Sequence, residues 1–265
     1  MTDRGVAAIL RADGDACMRQ CRGRRFLADS DSPAESRRAI FRHRLATRLW
    51  HWTNVLAVVV MIGSGLMISN AHPHLYWGQF GANFDPAWLD PPRFPGWITI
   101  PTDYNLAMAR RWHLTFALLF AFALLVFMLV SLINGHVRRD LRIRAGEVAP
   151  SHLWADIKAH LRLRFHDPDK PDAYNILQKL SYVAVIFVLL PLLVFTGLAL
   201  SPAMDAAWPW LLDVFGGRQS ARSIHFIACW LLIGFIIVHL ALVLLAGPVN
   251  EIRSMITGRW KVPHR

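Results

Sequence analysis

The sequence predicts an all-α integral membrane protein: a four-transmembrane-helix bundle with both termini cytoplasmic. Three observations predict it. Hydrophobic residues make up 54% of the 265. Four apolar stretches each approach the roughly 20 residues that a helix needs to cross a bilayer core. Basic residues are unevenly placed: of 29 Lys and Arg, only Arg93, Arg110, Arg111, Arg218 and Arg222 fall between the first and second or the third and fourth stretches. The positive-inside rule then puts the N-terminal segment, the central loop and the C-terminal tail in the cytoplasm.

Residues 1–44 are polar and Arg-rich, show no sustained period, and read as a flexible basic extension. No apolar region closely follows Arg24-Arg25-Phe26-Leu27, so this is not read as an export signal. Residues 45–265 form the membrane domain, with helices at about 49–69, 112–134, 180–200 and 223–246. The outer loop from Asn70 to Arg111 is rich in proline (Pro73, Pro86, Pro91, Pro92, Pro95, Pro101), which forbids long helices. Its Trp77, Trp88 and Trp97 suit a membrane interface or a docking surface. In the inner loop, SHLWADIKAHLRLR places Leu153, Trp154, Ile157 and Leu161 on one face of an amphipathic surface helix, with Ser151 as N-cap. Trp208, Pro209 and Trp210 in the second outer loop read as interfacial anchors.

The net charge of +11 does not indicate nucleic acid, because it is concentrated on one side of the membrane. No Cys-x-x-Cys-His occurs, excluding covalent c-type haem, and Cys17, Cys21 and Cys229 are too few for an ordinary iron–sulfur site.

Twelve histidines are present, and eight of them (His43, His72, His74, His136, His152, His160, His166, His264) fall in loops, tails or helix ends. His51, His113, His225 and His239 lie within the spans, where an ionisable side chain is costly and marks a functional site. His225 and His239 are fourteen residues apart, on nearly one face of a helix and roughly 21 Å apart along its axis. Topology pairs the depths: His51 with His239 near the cytoplasm, His113 with His225 near the outside. Two imidazole pairs in apolar surroundings suit two haem irons; zinc would require a tighter set of four ligands. Gly65 and Gly197 lie at the depth of the outer pair, where a missing side chain admits a large group. Arg48, Arg222 and Arg110-Arg111 sit beside three of the four histidines and are candidates for binding haem propionates.

Arg-Leu-Trp-His-Trp-Thr-Asn at 48–54, Arg-Trp-His at 111–113 and His-x13-His at 225–239 resemble the four-helix di-haem cytochrome b membrane subunits. This superfamily includes the b-type subunits of nickel–iron hydrogenases, formate dehydrogenase gamma subunits and bacterial cytochrome b561. The resemblance covers about Phe41 to Arg259. The long outer loop, Tyr174-Asn175-x-x-Gln178 and GGRQSARSIHF at 216–226 are most similar to the thiosulfate reductase cytochrome b type. The resemblance implies two non-covalent b-type haems, ligated by His51–His239 and His113–His225. It implies electron transfer between membrane quinone and a periplasmic molybdenum or nickel–iron subunit, in the bacterial inner membrane. It also places quinone near Asn175, with Tyr174, Gln178 and His136 as neighbours.

A standalone quinone-linked cytochrome b561 is an alternative of the same chemistry. A transporter or anchor with a histidine relay is one of another class. The spans contain no Asp or Glu between their ends, which disfavours a proton path.

Overall fold

The computed structural model describes residues 39–82, 84–135, 143, 148–161 and 176–261. The chain divides into a large unit, residues 41–260, and a small one, residues 1–40 with 261–265. The described residues of the small unit are Ala39, Ile40 and Lys261, all in the short strands β1 (Ala39–Phe41) and β2 (Arg259–Lys261). The large unit is helical: α1 (Leu45–Ala71), α2 (Leu106–Ile133), α3 (Pro150–Leu161), α4 (Ile176–Leu200), α5 (Pro202–Ala207), α6 (Trp210–Val214), α7 (Arg218–Ala246) and α8 (Pro248–Thr257).

Helices α1, α2, α4 and α7 are long and apolar enough to cross a membrane. All four start before the apolar stretches expected from the sequence, α2 and α7 by the most, six and five residues. The reason is that hydrogen bonding continues past the apolar band. Asn105 caps α2, its side chain accepting from Met108 N–H at 2.9 Å. α7 starts where Arg218 N–H donates to the Gln79 side chain at 3.0 Å, while the Gln219 and Ser220 amides share the Gly78 carbonyl at 3.0 and 3.1 Å. These contacts satisfy amides that a helix N-terminus otherwise leaves without partners.

α1 packs along α2 and α4 along α7, making two helical hairpins. Ala57 of α1, Phe120 and Leu124 of α2, Leu190 of α4 and Leu232 of α7 meet in one core cluster. Large apolar side chains such as Leu118, Phe122, Val188, Ile237 and Leu244 face outward and are at least half exposed, as lipid-facing positions require. Within α4, Val185–Leu189 widens to a π turn just before Pro191. Proline offers no N–H and its ring collides with the carbonyl four residues back; the wide turn at Phe187 relieves both problems.

One end of the bundle carries segments 72–105 and 201–217 and is called the loop end here; the other is the terminal end. Among its described residues the proline-rich segment forms no helix beyond the 3-10 turn Gly96–Ile98. It is nonetheless pinned. The Asn70 side chain bonds both backbone groups of Phe94, at 2.8 and 2.7 Å. Ser223 Oγ donates to the Tyr76 carbonyl at 2.6 Å and accepts from the Trp88 indole at 3.0 Å. At the terminal end α8 folds back on α1, where the Trp52 indole bonds the Met255 carbonyl at 3.1 Å and Arg48 bonds the Ile256 carbonyl. The surface helix expected from Ser151 is present as α3, but Pro150 leads it, so Ser151 lies inside the first turn rather than at the cap. Proline suits that first position because its missing N–H is not needed there. Asp156 of α3 accepts from the Ile176 amide at the start of α4, at 3.2 Å.

Candidate functional site

Both imidazoles of α7 find a partner. His225 meets His113 of α2 near the loop end, with ring centroids 6.3 Å apart and planes at 67°. His239 meets His51 of α1 near the terminal end, with centroids 6.5 Å apart and planes at 58°. Fourteen residues of helix separate the two pairs, roughly 21 Å along its axis. In neither pair are the rings stacked or hydrogen-bonded to each other. Among the described residues no three His, Cys, Asp or Glu side chains gather as a metal cluster; the ligand candidates occur strictly as pairs.

The loop-end pair is braced from behind. His113 Nδ1 lies 3.1 Å from the Met61 carbonyl and 3.2 Å from Ser64 Oγ, both on α1. A carbonyl can only accept, so Nδ1 carries the proton and Nε2 keeps its lone pair. On the other side, His225 Nδ1 lies 2.8 Å from Thr196 Oγ1 of α4. The glycines expected at this depth are beside the same rings: a Cβ on Gly65 would stand 3.4 Å from His113 Cε1, and one on Gly197 3.5 Å from His225 Cε1. Ser64 and Thr196, both fully buried, were not singled out from sequence. Small hydroxyl residues in apolar helices read as ordinary packing, and the available signal was their recurrence as hydroxyl-then-glycine, Ser64-Gly65 and Thr196-Gly197.

The terminal-end pair has a different surround. His51 Nδ1 is buried with no hydrogen-bond partner among the described residues. Phe235, one turn before His239, stacks on its ring at 6.0 Å and 16°. At the terminal end Arg48 and Arg253 each bury an Nε without a partner among the described residues, while Arg42 pairs with Glu251 at 3.6 Å. His43 sits among them. Burial first, then Arg42, His51 and Arg48, hold its imidazole down at about 4.

The arginines expected at the loop end take different places. Arg222 is half-buried and bonds the His72 carbonyl. Arg111 is exposed, because two residues of helix turn it about 160° from His113. Arg110, three residues back and so near the face of His113, joins Arg222 instead; after burial, these two guanidinium groups depress the titration of His72. Gln178 lies half-buried in the first turn of α4. Tyr174, Asn175 and His136 lie outside the described residues.

A family model described as prokaryotic cytochrome b561 matches residues 42–258. The chain belongs to the prokaryotic cytochrome b561 family. Among its relatives, a protein-methionine-sulfoxide reductase subunit YedZ1 of Azospira oryzae, described as putative, is 29% identical over 80% of this chain and 93% of its own length. A probable Ni/Fe-hydrogenase B-type cytochrome subunit of Cupriavidus necator is 24% identical over 84% and 88%. Its counterpart in Azotobacter vinelandii is 23% identical over 88% and 93%. No solved structure matches the chain.

Membership of a cytochrome b family implies b-type haem, and the residues present fit that group. An imidazole nitrogen binds a metal at about 2.0 Å and lies about 1.1 Å from its ring centroid, so two rings on opposite sides of one iron have centroids about 6.2 Å apart. Both cytochrome b561 pairs stand close to that separation, at 6.3 and 6.5 Å. The two glycines leave the ring edges uncovered, and the buried Nε groups of Arg48 and Arg253 suit an anionic substituent.

Proposed function

We propose that this cytochrome b561 protein is the membrane electron-transfer subunit of an oxidoreductase complex, holding two b-type haems between a quinone site and a redox partner. The observation that carries this reading is the pair of His–His centroid separations, each the width of one bis-imidazole iron. His51 and His239 would hold one haem at the terminal end, and His113 and His225 the other at the loop end. A b-type haem at each pair supplies reversible one-electron chemistry at its iron. The protein's own contribution is positional. α7 holds one ligand of each pair on a single rigid rod. The apolar cluster between the pairs keeps water out. Arg48 and Arg253 at one end, and Arg222 with Arg110 at the other, offer guanidinium groups to the acidic edges of the group, with Arg111 further out.

The charge asymmetry supports an orientation with both termini in the cytoplasm of a bacterial inner membrane, so that the loop end faces the periplasm. There the exposed Phe80, Phe84, Trp97 and Tyr104 offer aromatic surface to a partner subunit. The names of the relatives, a methionine-sulfoxide reductase subunit and Ni/Fe-hydrogenase B-type subunits, support an oxidoreductase partner subunit; the molybdenum alternative to nickel–iron comes from the sequence resemblance alone. Quinone is placed at the terminal end beside the start of α4, with Gln178 and, from the sequence, Asn175, Tyr174 and His136.

Haem content tests the reading. The purified full-length protein is expected to hold two reducible b-type haems per chain. His225→Ala and His239→Ala should each leave one, and their redox titrations should lack different components. Two haems retained in either variant would refute the pairing. A molybdenum or nickel–iron subunit recovered with the tagged protein from native membranes would establish the partner.

A further inference from the structure

We infer that Ser64 and Thr196 are positioning residues of the loop-end pair: their hydroxyls fix His113 and His225 as Nδ1–H tautomers and make both rings stronger ligands than His51 of the terminal-end pair. The inference rests on the di-haem reading above and assigns a role to two side chains that the reading leaves unused.

Each hydroxyl has its proton committed elsewhere. Ser64 Oγ donates to the Val60 carbonyl at 2.7 Å, and Thr196 Oγ1 to the Leu192 carbonyl at 2.7 Å, both one turn back along their own helices. The oxygen lone pairs are then what the imidazoles meet, so each ring must donate from Nδ1. For His113 the Met61 carbonyl imposes the same answer independently. Both hydroxyl residues are fully buried, so water does not compete for these bonds. The glycine that follows each hydroxyl brings backbone to van der Waals range of the ring edge, as a Cβ there would touch Cε1. Hydroxyl and glycine together therefore fix both the tautomer and the ring's seating. The arrangement occurs twice, in the first helix of each hairpin, aimed at the histidine of the second: α1 toward α2, α4 toward α7.

At the terminal end His51 lacks this support, its Nδ1 being buried without a partner among the described residues. An N–H that finds an acceptor makes the opposite nitrogen a stronger base and donor. Stronger donation favours the oxidised metal and lowers its potential. The two hydroxyls therefore hold the loop-end haem at a lower potential than it would otherwise have.

Thr196→Val keeps the shape and deletes the hydroxyl acceptor, leaving the Leu193 carbonyl beside His225. Optical redox titration of the purified full-length protein is the measurement, with the loop-end component identified as the one lost in His225→Ala. The expected result is an upward shift of that component alone in Thr196→Val, at unchanged haem content, reversed in Thr196→Ser. Ser64→Ala should shift the same component in the same direction, the Met61 carbonyl still accepting from His113 as the Leu193 carbonyl does from His225 in Thr196→Val. Loss of the loop-end haem in Thr196→Val with retention in Thr196→Ser would support the inference equally. Two haems with unmoved potentials in Thr196→Val would overturn it, as would an equal change in Thr196→Ser, which would reduce the role to packing. An unaltered protein without haem would overturn the di-haem reading and this inference together.

Discussion

Ser223→Ala is expected to lower thermal stability by roughly 5–15 °C and to release the loop-end site first. Ser223 is fully buried, two residues before His225. Its hydroxyl joins the proline-rich loop to α7 by two bonds, 2.6 Å to the Tyr76 carbonyl and 3.0 Å from the Trp88 indole. Deleting the oxygen strands a buried carbonyl, at about 1–3 kcal/mol, and removes an indole bond worth about 0.5–1.5 kcal/mol. The sum is about 2–4 kcal/mol, and a chain of this size loses about 2–4 °C per kcal/mol. Melting in detergent, followed by far-ultraviolet circular dichroism and by haem absorbance, provides both readouts. Trp88→Phe removes only the indole bond and should produce about a third of the effect. A shift below about 2 °C for Ser223→Ala, or an equal loss from Trp88→Phe, would refute the claim that this hydroxyl holds the loop to the helix.

Gly217→Ala should destabilise more than Gly247→Ala. Both glycines have positive φ, +107° and +104°, but a Cβ at Gly217 would stand 2.7 Å from the Gly78 backbone while Gly247 faces open space; the same melts compare them. For His43, with a titration held down to about 4 by burial and by Arg42, His51 and Arg48, the unfolded chain takes up a proton between about pH 6.5 and 4 that the folded one refuses. Stability should therefore be unaffected above pH 6.5 and fall as the pH drops from there toward 4, and His43→Asn should flatten that fall in acid melts.

The four spans and the pairing of their histidines were legible because both are carried by strong, simple signals. Apolar length sets the helices, and helical periodicity puts His225 and His239 on one face. Gly65 and Gly197 followed from the same depth argument. Ser64 and Thr196 did not, because a hydroxyl inside an apolar helix has an innocuous use, bonding its own preceding turn, and only the fold shows what faces its free lone pairs. The π turn before Pro191 and the fold-back of α8 onto Trp52 and Arg48 depend on contacts between distant segments that no local pattern carries. Nor did proline content reveal that the long loop would be held by Asn70, Ser220 and Ser223.

The position of α7 in the chain has a consequence for biogenesis. Each imidazole pair joins a residue made early, His51 or His113, to one made late on the fourth span. A nascent chain that has inserted three helices presents two solitary histidines and no complete site. On the proposed di-haem reading, cofactor capture follows insertion of the last span, and at the loop end also the seating of Gly78 on the first turn of α7. Truncation anywhere before His225 would leave a membrane-inserted protein with neither centre assembled, and one between His225 and His239 would leave a protein with only the loop-end centre.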